Sequence, residues 1–566
     1  MSDYSRSWGP SHQRLDLRRR HRIWTWLALG ALLLLAITQI GSSPSAVIAS
    51  ALLLTWIGAS GALGRAWQLL RAAERHGKPA SASEQLPAGE ILRRRMLRMG
   101  AGAYLGQRHG RWVVSDPEHA VLVLGPPRSG KTSEVVIPAV LAAPNALVST
   151  ATKPDVMAAT WRARAEIGEV WLYDPAGSSV ALPPGVRALH WSPVAAAGTW
   201  EEALLTARAM AAAGRAARGS TNEEHWRERA SALLAPLLYA AYLDYRPIAA
   251  VLTWVLRFDL DTPGKILEDH GAQVPCDVLA GIARTESRER SSIFSATAGT
   301  LAAYNSDAVR QSAAQADFNP SDFPSSSDTI YITAPAHRQA LCAPLVVGLL
   351  EQIRHATYEH AAKQPQGRTC PPVLFCLDEL ANIAPIHDLQ ALVSEAGGQG
   401  LHILACLQDL SQARVRWGES VAEGLLTLFQ TKLILRGIAD PKTLEAVSLV
   451  AGEYDRQMAS ATQGRTEGHG FFAPDTYSES VTHSTQRQRI LTPGEIARPP
   501  RGRALLLEGV DWQLIRTTPW YRTAPWREAA GLCEPAAAQS AGRARGAGMS
   551  PTGAHAMTPP SPTARA

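Results

Sequence analysis

The residues with the clearest chemistry lie in Val121-Leu-Val-Leu-Gly-Pro-Pro-Arg-Ser-Gly-Lys-Thr132. An apolar run ends there in Gly125-x-x-x-x-Gly130-Lys131-Thr132, the spacing of a nucleotide-phosphate loop, or Walker A sequence. Glycines let successive backbone N–H groups curl around phosphate oxygens, so Gly125, Pro126, Pro127, Arg128, Ser129, Gly130, Lys131, Thr132 and Ser133 are the expected nucleotide-binding set. Lys131 can reach the β and γ oxygens, and the Thr132 hydroxyl can face Mg²⁺. The helix that must follow adds its positive N-terminal end. The plain alternative is an ordinary glycine turn between a strand and a helix.

A second group stands in Val373-Leu-Phe-Cys-Leu-Asp-Glu379, an apolar strand that ends in two carboxylates, the Walker B arrangement. Asp378 would hold Mg²⁺ through its water shell, and Glu379 would polarise the water that attacks the γ-phosphate. Alone, such a pair reads as the acidic start of a helix. Beside a phosphate loop, it reads as chemistry. Ile403-Leu-Ala-Cys-Leu-Gln-Asp409 places Gln408 at a further strand end, where an amide can sense the γ-phosphate, orient the water, or merely cap a helix. The expected catalytic residues are therefore Lys131, Glu379 and Gln408, the expected metal residues Thr132 and Asp378, and the cofactors ATP and Mg²⁺.

Positioning these groups requires an α/β domain with a largely parallel sheet, and the chain alternates short apolar strands with helical segments in that way. The expected strands are 120–124, 146–150, 170–173, 329–333, 373–377, 401–407 and 431–436. Between Thr199 and about Asp307 the strand pattern vanishes, and capping boxes at Thr199-x-x-Glu202 and Thr221-x-x-Glu224 precede Ala/Leu-rich runs. This predicts an all-α insertion. The segment 459–488 is Ser/Thr/Gly-rich and predicts an irregular, mobile stretch, as does the Ala/Pro/Gly/Arg-rich tail beyond about Arg527.

Length and composition suit a large core, since 46% of the 566 residues are hydrophobic. The net charge of +6 rests on seven Lys and 49 Arg and argues only weakly for nucleic acid. The six cysteines show no C-x-x-C spacing and the 16 histidines no H-x-x-x-H or H-E-x-x-H pair, so Mg²⁺ is the only metal implied. No charged residue occurs from Ile23 to Gly64, a span that Gly41-Ser-Ser-Pro-Ser45 divides into two runs of about 18–20 residues, long enough for two short membrane helices at about 23–40 and 46–64. A cleaved signal peptide fits less well, because a second apolar run follows the first. Arg14, Arg18, Arg19, Arg20 and Arg22 precede the pair, and Arg65, Arg71, Arg75 and Lys78 follow it, which places both ends in the cytoplasm. The bulk of the chain is then cytosolic, below a multi-pass anchor in the bacterial inner membrane.

At these residues the chain resembles the type IV secretion coupling proteins, the TraG/TraD-like family. The likeness is carried by Pro126-Pro-Arg-Ser-Gly-Lys-Thr132 with Val135-Val-Ile-Pro138, Asp174-Pro175, Trp191-Ser-Pro193, Arg290-Ser-Ser-Ile293, Asp378-Glu-Leu-Ala-Asn382, Leu407-Gln-Asp-Leu-Ser-Gln412 and Trp417-Gly418. It implies a P-loop NTPase (RecA-like) core, with an N-terminal two-helix anchor in 1–78, nucleotide-binding parts in 79–195 and 307–525, an all-α domain in 196–306, and a disordered tail in 526–566. It further implies a homo-hexameric ATPase of the FtsK/HerA motor class that feeds relaxase-bound single-stranded DNA to a secretion channel. A protein-only cargo, or a nucleotide-dependent receptor with little turnover, stays open; a chromosome-partitioning translocase expects more membrane spans and a terminal winged helix.

The chain departs from the family in two places. Where many relatives carry an arginine after Walker B, it reads Ser394-Glu-Ala-Gly-Gly-Gln-Gly400, which leaves Arg288, Arg290, Arg414 and Arg416 as replacement arginine fingers. Thr152-Lys-Pro-Asp155 stands where relatives have a D-x-K-G-E-like loop, making Lys153 and Asp155 supporting residues at most.

Overall fold

The computed structural model describes residues 86–177, 182–214, 223–314, 316–466 and 476–532. The two apolar runs of the expected membrane anchor, Thr221 of the second capping box, and the tail from 533 onward lie outside the described residues. Among the described residues, no helix is long and apolar enough to cross a membrane.

The strands are β1 (Tyr104–Arg108), β2 (Arg111–Val114), β3 (Val121–Leu124), β4 (Leu147–Ala151), β5 (Val170–Tyr173), β6 (Val186–Ala188), β7 (Thr329–Thr333), β8 (Val373–Leu377), β9 (Leu401–Leu407), β10 (Thr431–Ile434), β11 (Glu453–Thr466), β12 (Thr476–Arg489), β13 (Arg503–Glu508) and β14 (Asp511–Arg516). All but β11 and β12 form one 12-stranded sheet in the order β2-β1-β14-β13-β10-β3-β9-β8-β4-β7-β5-β6. From β10 to β6 every neighbouring pair is parallel; from β10 to β2 every pair is antiparallel.

Both faces of the parallel part are covered, which explains its unbroken apolar runs. Leu122, Leu124, Phe375, Leu377, Ile403 and Leu407 enter the core on one face, while Val121, Val123, Leu374, Cys376, Leu404 and Cys406 enter the core on the other. The period of two along each strand thus feeds two cores. The first face receives the helices between β6 and β7, from Trp200–Ala213 through Asp307–Ser312, together with Gln339–Ala362 and the helices that follow β8, β9 and β10. The first of these starts at the Thr199 capping box: the Thr199 hydroxyl accepts from the Glu202 backbone N–H, and the Glu202 carboxylate accepts from that of Thr199.

Two expectations need correction. The stretch 459–488 is not irregular where it is described: β11 and β12 pair antiparallel in unbroken register from Glu453↔Arg489 to Thr466↔Thr476. Its side chains from Tyr454 to Gln463 and from Glu479 to Gln486 are all exposed, so no apolar alternation marked it as strand. The tail from 526 likewise begins in structure, because Ala524–Ala529 is a helix and Trp526 is fully buried. The Trp526 ring stacks on Trp112 at 4.8 Å and meets Tyr104 edge-on at 4.7 Å, while the Arg95 guanidinium covers the Trp112 ring at 3.6 Å. One tryptophan in an Ala/Pro-rich context gave no periodic signal. Trp526→Ala should lower the unfolding free energy by about 3–5 kcal/mol, through lost ring contacts and a cavity that the rigid sheet cannot close. Urea unfolding followed by tryptophan fluorescence checks this, and a change under about 1 kcal/mol would mean that the helix is an ornament on the surface.

Candidate active site

Strands β3, β9 and β8 are parallel neighbours, so the strand ends that bear Gly125, Gln408 and Asp378 emerge at one edge of the sheet. Ligands of open α/β sheets bind outside that carboxyl edge. A cleft of about 530 Å³ opens there, lined by Pro126, Pro127, Arg128, Gly130, Lys131, Thr132 and Ser133 from the phosphate loop, by Asp378 and Glu379, and by Thr152, Lys153, Asp155 and Trp520.

The loop turns tightly because two residues take left-handed backbone angles, Arg128 at φ 66° and Gly130 at φ 101°. The turn is closed by the Ser129 N–H, which donates to the Pro126 carbonyl at 3.2 Å. A π-helical turn, Lys131–Val136, then leads into the helix Ile137–Ala142. Lys131 is only 8% exposed, and its ammonium donates to the carbonyls of Gly125 and Pro126, the latter at 3.2 Å. A buried ammonium needs oxygen partners, and phosphate oxygens can replace these loop carbonyls. The Ser129 hydroxyl oxygen is buried with no hydrogen-bond partner among the described residues, a polar atom of the loop that a phosphate oxygen would suit.

Opposite the loop, the Thr132 hydroxyl donates to Asp378 Oδ2 at 2.8 Å, and the Thr150 hydroxyl donates to the Asp378 carbonyl at 2.8 Å. Burial pushes the Asp378 carboxyl up to about 6; the Thr132 bond and the Lys131 charge oppose this, and neighbouring Glu379 adds to it. A hydroxyl and a carboxylate in contact are the hard oxygen donors that Mg²⁺ prefers, and a cation there would favour the ionised carboxylate. The residues present therefore fit a nucleotide with Mg²⁺. Glu379 itself stands at a left-handed φ of 59° as the residue before the short helix Leu380–Ile383, and its Oε2 accepts from the Asn382 side-chain amide at 3.0 Å. A left-handed glutamate is uncommon and, at a strand end beside a phosphate loop, points to function.

Gln408 is not among the residues that line the cleft: its backbone N–H donates to Gln412 Oε1 at 2.8 Å, at the start of the next helix. The structure also brings Lys153 and Asp155, expected as supporting residues, to the lining of the cleft. It also brings Trp520, from the 3-10 turn Trp520–Arg522 after β14, which adds an aromatic side chain to the lining. Nothing in the spacing of the phosphate loop announces a residue so far along the chain; the Trp520-Tyr521 pair after the last strand is the one available signal.

Three of the four replacement arginines make contacts within the chain. The Arg414 guanidinium binds Asp440 Oδ2 at 2.5 Å, and Asp440 caps the helix Pro441–Ala451 through the Thr443 N–H at 2.9 Å. Burial works against the Asp440 carboxylate, but the Thr443 and Arg414 bonds outweigh it and hold the carboxyl below its ordinary value. Arg290 donates to the Ala283 carbonyl at 2.6 Å and Arg416 to the Ala213 carbonyl at 3.2 Å, while Arg288 is exposed. In the Ser394–Gly400 segment that lacks the family's arginine, a Cβ on Gly397 would collide with the Glu118 carbonyl, whereas one on Gly398 would meet only ordinary contact. Arg414→Ala should thus cost about 1–3 kcal/mol of stability by stranding Asp440, with turnover per folded molecule changed less than about tenfold. Thermal unfolding and phosphate release on one preparation decide this; a loss near 10³-fold in rate at unchanged stability would restore the finger assignment.

A family model described as Type IV secretory system Conjugative DNA transfer matches residues 78–533. Two Escherichia coli proteins named Conjugal transfer protein TraG are similar, one 22% identical over 357 residues (58% of this chain, 54% of its own length), the other 24% over 348 residues (56% and 53%). The chain spans about half the length of the curated relatives it matches. Among solved structures, the bacterial conjugative coupling protein TrwBdeltaN70 aligns with a TM-score of 0.54 at 17% identity, covering 77% of this chain and 91% of that one. The plasmid coupling protein TrwB with ADP and Mg²⁺ aligns at 0.52 and 16% (77% and 93%), and TrwB with the ATP analogue ADPNP at 0.53 and 17% (78% and 96%). The mixed α/β architecture with its large parallel sheet is therefore the fold of TrwB.

Proposed function

The chain belongs to the type IV secretory system conjugative DNA transfer family, and from that premise we propose that it is a membrane-anchored ATPase that recruits relaxase-bound single-stranded DNA and pumps it into a secretion channel. The observation that carries this reading is the Thr132–Asp378 hydrogen bond, with Lys131 and Glu379 lining the same cleft. Lys131 would offset charge on the transferring phosphoryl group, Thr132 and Asp378 would hold Mg²⁺, and Glu379 would take the proton of the attacking water. When bound, the metal would supply charge neutralisation on the phosphates. A homo-hexamer at the inner membrane, with the channel components as partners, completes the reading.

A second reading, a nucleotide-dependent receptor with slow turnover, is favoured by the engagement of Arg414 with Asp440. Steady-state phosphate release by the full chain, with and without single-stranded DNA, separates the two. The motor predicts a rate that rises at least about fivefold with DNA, a change of roughly 1 kcal/mol in barrier. Nucleotide binding with little turnover under either condition would favour the receptor, and turnover that DNA does not change would favour a protein-cargo ATPase.

A further inference from the structure

Beside the nucleotide cleft lies a second recess, of about 560 Å³, between the end of the helix Trp200–Ala213, the first turns of Glu223–Leu243 and Gln339–Ala362, and the helices Leu380–Ile383 and Leu410–Trp417 that follow β8 and β9. Its polar groups are Arg227, Arg416, Gln339, Asn382, Ser411 and Gln412; the other lining residues are small or apolar, and none is a carboxylate. Two guanidinium groups with amide and hydroxyl donors, in a recess free of acidic side chains, suit the phosphodiesters of a single strand.

Three of these residues also bond to groups tied to ATP chemistry. The Asn382 side-chain amide donates to Glu379 Oε2 at 3.0 Å, Gln412 Oε1 accepts from the Gln408 N–H at 2.8 Å, and the Gln339 amide donates to the Thr152 hydroxyl, a lining residue of the nucleotide cleft, at 3.1 Å. The first is the informative one. Glu379 starts the helix that contains Asn382, yet its carboxylate caps no backbone N–H of that helix; it is turned onto the Asn382 amide instead, from a left-handed backbone. A base held by such a charge-assisted bond is less available to a water.

We propose that Asn382 is a switch residue, which holds the Glu379 carboxylate in a resting position until the backbone of a single DNA strand in the neighbouring recess draws its amide away. The inference rests on the motor reading and deepens it: the recess is where cargo is sensed, and Asn382 positions the base without touching nucleotide. Hydrolysis is thereby kept low when no strand is engaged. The two arginines give the recess its charge, and Gln339 and Gln412 are parallel contacts by which the same ligand reaches the cleft.

The test uses the full chain in detergent, Mg-ATP, and an oligodeoxythymidylate as the probe. Asn382→Ala should raise the DNA-free kcat about tenfold, the value of one hydrogen bond to a charged group, with KM for ATP changed less than about twofold and DNA stimulation reduced to about one. Asn382→Ser, whose hydroxyl is too short to bridge, should behave alike. The double variant Arg227→Gln/Arg416→Gln should lose DNA stimulation, and adding Asn382→Ala to it should restore the fast DNA-free rate. A DNA-free rate that is unchanged or lower in both Asn382 variants, with fluorescent ATP analogue still bound, overturns the switch while leaving the motor intact. Stimulation by polyglutamate in place of the oligonucleotide overturns the DNA assignment of the recess. Absence of hydrolysis by the wild-type chain under all conditions removes the motor reading, and the switch with it.

Discussion

On the proposed motor, Lys131→Ala is expected to lower ATP hydrolysis by about 10³-fold and to abolish conjugative transfer, while the fold and the distribution between membrane and soluble fractions stay as in the unaltered protein. Lys131 is 8% exposed and its ammonium donates to loop carbonyls, so its charge sits within the curl that Gly125 and Gly130 create. In the transition state that charge meets developing negative charge on phosphoryl oxygens in a site of low dielectric, where it counts for more than in water. The structural cost is small by comparison, because β3 is held by its parallel neighbours β9 and β10 and its four residues are fully buried. Phosphate release, mating frequency and membrane fractionation are the three measurements. Near-normal transfer by this variant would falsify the motor.

The same contrast between buried and exposed strands explains what could be read in advance. Strands β3, β4, β5, β7, β8, β9 and β10 were legible because burial on both faces writes a continuous apolar run, and their ends could be placed within a residue or two. β1, β2 and β14 were not, since they lie at the antiparallel end of the sheet with partly exposed side chains, and β6 is three residues long. β11 and β12 carry Ser, Thr and Gln on both faces, so composition pointed to irregular chain although the backbone pairs along its whole described length. At the site, the phosphate loop and the Asp378–Glu379 pair are each contiguous in sequence, and local spacing sufficed. Trp520 and the Asn382 contact depend on tertiary placement and on a single backbone angle at Glu379, and no periodicity encodes either. The engagement of Arg414 was illegible for a related reason: it lies in the helix just after the Gln408 strand end, but its partner Asp440 is 26 residues away in sequence.

Glu379→Gln should bind ATP with nearly unchanged affinity and turn it over about 10²–10⁴-fold more slowly, because the amide keeps size and hydrogen bonding but cannot take a proton from water. Affinity is expected to survive because the groups assigned to the phosphates and Mg²⁺ are others: Lys131 and the loop amides on one side, Thr132 and Asp378 on the other. The variant retains an oxygen that can accept from the Asn382 amide, so the left-handed turn at 379 should also persist. A fluorescent ATP analogue reports affinity and single-turnover hydrolysis reports chemistry. A collapse of nucleotide affinity would make Glu379 a structural residue of the strand end. The double variant Glu379→Gln/Asn382→Ala sharpens the reading, since removing the clasp can accelerate hydrolysis only if a base is there to be released. It should remain as slow as Glu379→Gln alone, and hydrolysis restored in that double variant would place the base elsewhere in the cleft, with Asp155, which also lines it, the first residue to change.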